Sequence, residues 1–112
     1  MEKIFDILFL EEVYIFLKEL KPKHSEKIIY NIRKSQTKND PELFKKLTDE
    51  IWEFRTLYQG TQYRLLAFWD KTNSKNTLVI STHGFIKKQS KIPENEILRA
   101  KKIRFNYFKE KD

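Results

Sequence analysis

Ile51-Trp-Glu-Phe-Arg-Thr-Leu-Tyr58, Gln59-Gly-Thr-Gln62 and Tyr63-Arg-Leu-Leu-Ala-Phe-Trp69 decide the fold. From Ile51 the apolar period is two. Trp52, Phe54, Thr56 and Tyr58 point one way, and Glu53, Arg55 and Leu57 the other, as in a half-buried strand. A glycine-containing turn and a second β-rich run follow, so the pair reads as an antiparallel hairpin. Downstream, Lys71 to Asn76 reads as a polar loop and Thr77-Leu-Val-Ile-Ser81 as a third strand running into His83-Gly84-Phe85. These strands follow one another too closely for helical crossovers, so this part of the sheet must be antiparallel.

Upstream, Ile4-Phe-Asp-Ile-Leu-Phe9 reads as a first strand. Glu11 to Leu20 places Val13, Phe16, Leu17 and Leu20 on one helical face, ending before Pro22. A second helix, capped by Ser25 and running to about Gln36, aligns Ile28, Ile29 and Ile32. Asp40-Pro41 suits a cap and first helical position, opening a short turn that offers Leu43, Phe44 and Leu47 to the core. A last helix starts at Ile92-Pro93, with Ile97, Ala100, Ile103 or Arg104, and Tyr107 facing inward. The expected architecture is a single α+β domain of order β-α-α-β-β-β-α spanning residues 1–112, a mostly antiparallel sheet with helices packed on it.

The 112 residues carry 23 Lys and Arg against 16 Asp and Glu, a net charge of +7. The excess sits entirely beyond residue 56, much of it in Lys87, Lys88 and Lys91 and in Arg99, Lys101, Lys102 and Arg104. Such a field attracts polyanions. Absence of cysteine rules out disulfides and thiolate chemistry. His24 and His83 are the only histidines and have no partner at metal-ligand spacing, and no phosphate-cradling glycine motif occurs. No metal and no cofactor are expected. The apolar run near the N-terminus is too short for a membrane span, so the expected location is cytoplasmic.

Arg55 and Arg64 lie on neighbouring strands, and His83, Lys87 and Lys88 at the end of the next. If these strands are adjacent, the side chains converge. Arg grips phosphate oxygens in two places, Lys is a mobile point charge, and His suits proton transfer near neutrality. Such a cluster fits metal-free RNA cleavage, in which the 2′-OH attacks its own phosphate. Arg64 and Lys88 would neutralise the phosphorane, and His83 or a lysine of lowered pKa would move a proton. Against this, Arg55 also has Glu53 or Glu50 as ion-pair partners, and His83 beside Gly84 also reads as a hydrogen-bonded turn residue. Trp52, Trp69 and Phe54 read as core rather than as base-stacking platforms.

The string Leu47…Ile51-Trp-Glu-Phe-Arg55…Tyr63-Arg-Leu-Leu-Ala-Phe-Trp69…His83-Gly-Phe-Ile-Lys-Lys88…Pro93…Glu96-Ile97…Ala100 resembles the RelE/ParE toxin superfamily, nearest its HigB-like branch of phage-derived RelE-type toxins. The resemblance spans roughly Leu43 to Arg104. It implies the toxin of a type II toxin–antitoxin pair, cutting messenger RNA on the ribosome and thereby inhibiting translation. It further implies a small antitoxin, often a helix-turn-helix protein, through which alone operator DNA would be met. On this pattern Arg64, His83 and Lys88 are the catalytic candidates, with Arg55, Lys87 and Lys91 holding RNA phosphates. RelE carries a catalytic tyrosine near the start of its last helix where this chain has none, and His83 stands in for it. Alternatives within the superfamily are a ParE-like inhibitor of DNA gyrase and an inactive antitoxin-binding relative.

Overall fold

A computed structural model describes residues 2–72 and 77–111. At its centre β3 (Trp52–Tyr58) and β4 (Thr61–Asp70) form the expected hairpin. Gln59 and Gly60, at φ 47° and 79°, both take the left-handed conformation that a two-residue hairpin turn demands. The turn sets Tyr58 opposite Thr61, Arg55 opposite Arg64 and Trp52 opposite Ala67.

β5 (Leu78–Lys87) runs antiparallel to β4 and is longer than the sequence suggested, so His83 and Lys87 lie within the strand. The polar loop expected over 71–76 lies largely outside the described residues. The β4–β5 ladder slips between Leu66, opposite His83, and Ala67, opposite Ser81. Thr82 is the extra residue of this bulge, and the Ser81 and Thr82 hydroxyls both donate to the Leu66 carbonyl, at 3.1 and 3.3 Å. By strict alternation Ile80 and His83 would point oppositely. The bulge returns them to one face.

β1 (Asp6–Phe9) pairs in parallel with β5, and β2 (Phe44–Lys46) pairs antiparallel with β3, giving the order β1-β5-β4-β3-β2. β2 corrects the helical turn expected after Pro41. Asp40 does cap, with its Oδ1 accepting the Glu42 N–H at 2.9 Å, but the chain makes one turn and then extends. Phe44 opposite Phe54, with rings stacked at 4.2 Å, rewards the strand over the helix.

α1 (Glu11–Lys18) and α2 (Pro22–Thr37) cover one face, α1 over β5 and α2 over β3. Pro22 is the first residue of α2, where a missing N–H costs nothing. The expected Ser25 cap is therefore replaced, and Ser25 Oγ instead donates to Leu17 O at 2.6 Å. Val13, Ile28, Ile32, Phe54, Tyr63, Leu65 and Val79 build the core between these helices and the sheet.

α3 (Glu94–Lys111) crosses the other face, burying Ile97 and setting Ala100, Tyr107 and Phe108 against the cluster of Leu66, Phe68 and Ile80. Polar contacts fasten both of its ends. Glu96 Oε1 meets His83 Nε2 at 3.0 Å, and the Tyr107 hydroxyl donates to Asp70 Oδ2 at 2.6 Å. Burial alone would raise the Asp70 carboxyl, but hydrogen bonds from Thr72, Tyr107 and Lys111 hold it at about 2; burial and Asp70 push Tyr107 up to about 12. No helix among the described residues is long and apolar enough to cross a membrane.

Gly84 is where α1 comes closest to β5. A Cβ there would stand 2.5 Å from Phe16 Cδ2 and 3.0 Å from its Cγ, so the ring as a whole obstructs it. Gly84→Ala is expected to destabilise the domain by about 1–3 kcal/mol through overpacking. Thermal melts check this, and Phe16→Leu in the same chain should recover part of the loss.

Candidate functional site

The hairpin register and the Thr82 bulge together sort the side chains. Lys45 of β2, Glu53 and Arg55 of β3, Gln62 and Arg64 of β4, and His83, Phe85 and Lys87 of β5 share the face that α3 crosses. α3 covers this face only toward Leu66, Phe68 and Ile80. The remainder, toward the hairpin turn, holds four cationic groups, Lys45, Arg55, Arg64 and Lys87, around one carboxylate, Glu53.

Arg64 is the centre of this group and is 2% exposed. Its Nε lies 2.9 Å from Glu53 Oε1, its Nη1 donates to Tyr63 O at 3.0 Å and its Nη2 to Gln62 Oε1 at 2.9 Å. The Nε–H is not directed at Glu53, so that contact is chiefly charge on charge. Burial lowers the Arg64 pKa, Glu53 opposes the shift and Arg55 adds to it. An expected surface contact is thus a buried ion pair. Arg55 is half-buried, and its Nη1 reaches only Pro41 O at 3.5 Å. Arg55 does not take up Glu53 or Glu50; those carboxylates serve Arg64 and Arg104.

Lys87 is half-buried opposite Gln62. Its pKa is lowered, first by burial and then by Arg64, with Arg55 and Lys45 adding to the effect and Glu53 opposing it. The four cations therefore sense one another across three strand pairs. Lys88 follows the last residue of β5 and is exposed, lining an open groove of about 500 Å³ with Gln62 and Lys87. By strand parity Lys87 is the lysine that shares the Arg64 face. Lys91 is exposed in the following turn.

His83 stands on the same face but is only 1% exposed, in mid-strand rather than at a strand end. Its ring nitrogens meet Thr82 Oγ1 and Glu96 Oε1, both at 3.0 Å. It behaves as a hydrogen-bonded interior residue that fastens α3. His24 lies across the sheet, 2.6 Å from the Tyr63 hydroxyl, and Tyr107 is engaged by Asp70 at the far end of β4. Among the described residues no three His, Asp or Glu side chains come together as metal ligands.

The family model described as phage derived protein Gp49-like (DUF891) matches residues 15–104. The chain belongs to this family. The Gp49-like family is a RelE-like toxin family. No curated protein matches the chain.

The Gp49-like segment contains all five charged groups of the cluster, whereas Tyr107 and Lys111, which hold Asp70, lie beyond it. Two of the five, Lys45 and Glu53, went unassigned in the sequence. Lys45 was hidden by the mistaken helical turn, since only a β2 strand sets it opposite Glu53. Glu53 was visible by its period with Arg55, but a carboxylate among expected phosphate ligands reads as a neutralising partner.

Removing one member of a buried pair leaves the other charge unpaired. Arg64→Ala is expected to cost about 3–5 kcal/mol of stability, measured by denaturant unfolding. The double variant Arg64→Ala/Glu53→Gln should regain part of it. His83 gives a pH signature. Burial lowers its pKa below the ordinary 6.5, although Glu96 opposes this. The unfolded chain then binds more protons, so the stability it contributes is fully present above pH 6.5 and declines as pH falls through the folded value. Melting temperatures from pH 7.5 to about 5 should fall less steeply for His83→Gln than for the parent.

Proposed function

We propose that this Gp49-like protein is the toxin of a type II toxin–antitoxin pair and a metal-independent, ribosome-dependent mRNA endonuclease. The carrying observation is the excess of Lys45, Arg55, Arg64 and Lys87 over Glu53 on one part of one sheet face. An RNA backbone phosphate supplies the missing negative charge.

In this reading Arg64, fixed by Glu53 and the Gln62 side chain, and the more mobile Arg55 hold the scissile phosphate and stabilise the charge that gathers on the phosphorane. His83 is engaged by Thr82 and Glu96 in fastening α3, so Glu53, the one carboxylate among the phosphate-binding cations, accepts the 2′-OH proton. The 2′-oxygen then bonds to phosphorus, the bond to the 5′-oxygen breaks, and Lys87 protonates that oxygen, leaving a 2′,3′-cyclic phosphate. A lysine whose pKa is lowered by burial and neighbouring cations suits this donor role. Lys88 and Lys91 extend the positive surface along the groove toward flanking phosphates. The partner is an antitoxin that masks this surface, with operator DNA reached only through it. The site of action is the translating ribosome in the cytoplasm.

The test is a translating extract with cuts mapped by primer extension. Purified protein should produce discrete cuts, and Arg55→Ala/Lys87→Ala should lower cleavage by about 100-fold or more while leaving thermal stability close to the parent's. Intact transcripts alongside demonstrable ribosome binding would reject the endonuclease. The near-complete burial of Arg64 favours a second reading, a ParE-like gyrase inhibitor or an inactive antitoxin-binding relative. Loss of DNA supercoiling activity with intact transcripts would select the gyrase inhibitor.

A further inference from the structure

A second concave site lies at the other end of the hairpin. Trp52 begins β3 and Trp69 nearly ends β4, so both stand away from the Gln59-Gly60 turn. Trp52 is three residues from Arg55, about 10 Å along the strand, and by alternation on the opposite face. The two indoles meet edge to face at 5.8 Å, and their inner sides rest on Phe44. Both indoles, with Phe108 of α3, line an open cleft of about 700 Å³. That is within the size range of small-ligand sites.

Two features of the lining restrict the occupant. Lys46 stands directly opposite Trp52 in the β2–β3 register, and Arg104, held by Glu50 at 2.7 Å, enters from α3. These cations favour an anionic group at the rim. Asp49 lines the same cleft and accepts hydrogen bonds from amino groups. A flat ring bearing amino donors, tied to an anion, has the chemistry of a nucleotide. Aromatic walls and adjacent cations are also how proteins hold single bases of a strand.

We propose that this cleft binds a nucleotide, its base against Trp52 and Trp69 and its phosphate toward Lys46 and Arg104. The site is separate from the cationic cluster and independent of any cleavage there. An acidic peptide is a poorer fit, because carboxylate side chains offer no flat ring to lie against Trp52 and Trp69.

Trp52 and Trp69 are the only tryptophans of the chain, so intrinsic fluorescence reports on this cleft. Titration of the full chain with AMP, GMP, CMP and UMP, and separately with a short 2′-O-methyl oligoribonucleotide, should give saturable quenching with Kd at or below about 1 mM in at least one arm. Saturation by mononucleotides identifies a free nucleotide as the source, and saturation by the oligomer alone identifies a base within a strand. Lys46→Ala should weaken binding about tenfold while leaving quenching by the corresponding nucleoside unchanged. Arg55→Ala/Lys87→Ala should leave both titrations as in the parent. Absence of saturable quenching in every arm overturns the proposal, as does its loss in Arg55→Ala/Lys87→Ala. Quenching by an acidic peptide but by no nucleotide overturns it in favour of peptide docking.

Discussion

Two residues, Gln59 and Gly60, hold β3 and β4 in a register that has no freedom to slip. Their left-handed backbone fits a two-residue turn, and shifting the ladder by one position would send Phe54, Tyr63 and Leu65 out of the core. The same constraint acts on the polar face. Because apolar residues must point toward α1 and α2, the residues between them, Glu53, Arg55, Gln62 and Arg64, must share the opposite side. The charged cluster is thus a by-product of core registration, completed by the Thr82 bulge, which brings β5 into phase and delivers Lys87.

What occupies that face is expensive. A guanidinium and a carboxylate removed from water lose hydration that their mutual attraction offsets only with good geometry, and a hydrophobic pair of similar volume is often as stable. The Arg64–Glu53 contact lacks a directed Nε–H hydrogen bond, and the surrounding excess is cationic. An excess of cations around one buried carboxylate is the feature on which the proposed binding of a polyanion rests. Membership of the Gp49-like family, a RelE-like toxin family, agrees with that proposal.

Much of the architecture was legible in the residues. The hairpin followed from an unbroken period of two around a glycine turn, α1 from Val13, Phe16 and Leu17, and α3 from Ile97, Ala100 and Tyr107. β2 was not legible, because Asp40-Pro41 is as good an opening for a helix as for a turn, and three residues are too few to show a period. The bulge was not legible either, since Ser81 and Thr82 read as ordinary strand residues until their hydroxyls are seen on Leu66 O. That omission carried over into the site. Counting from the visible end of the β-branched run favoured Lys88, whereas strand parity sets Lys87 on the Arg64 face, and it hid that His83 sits in the interior.

α3 differs from the other elements in how it is attached. Its inward face buries Ile97 and Ala100 and packs Tyr107 and Phe108 on Phe68, and its ends are held by Glu96 with His83 and by Tyr107 and Lys111 with Asp70. It makes no backbone ladder with the sheet. Arg99 with Glu12 and Arg104 with Glu50 add two further ion pairs along the helix. The backbone ladder of the sheet is therefore complete without α3, and whatever loosens that helix acts on side-chain contacts and not on strand pairing.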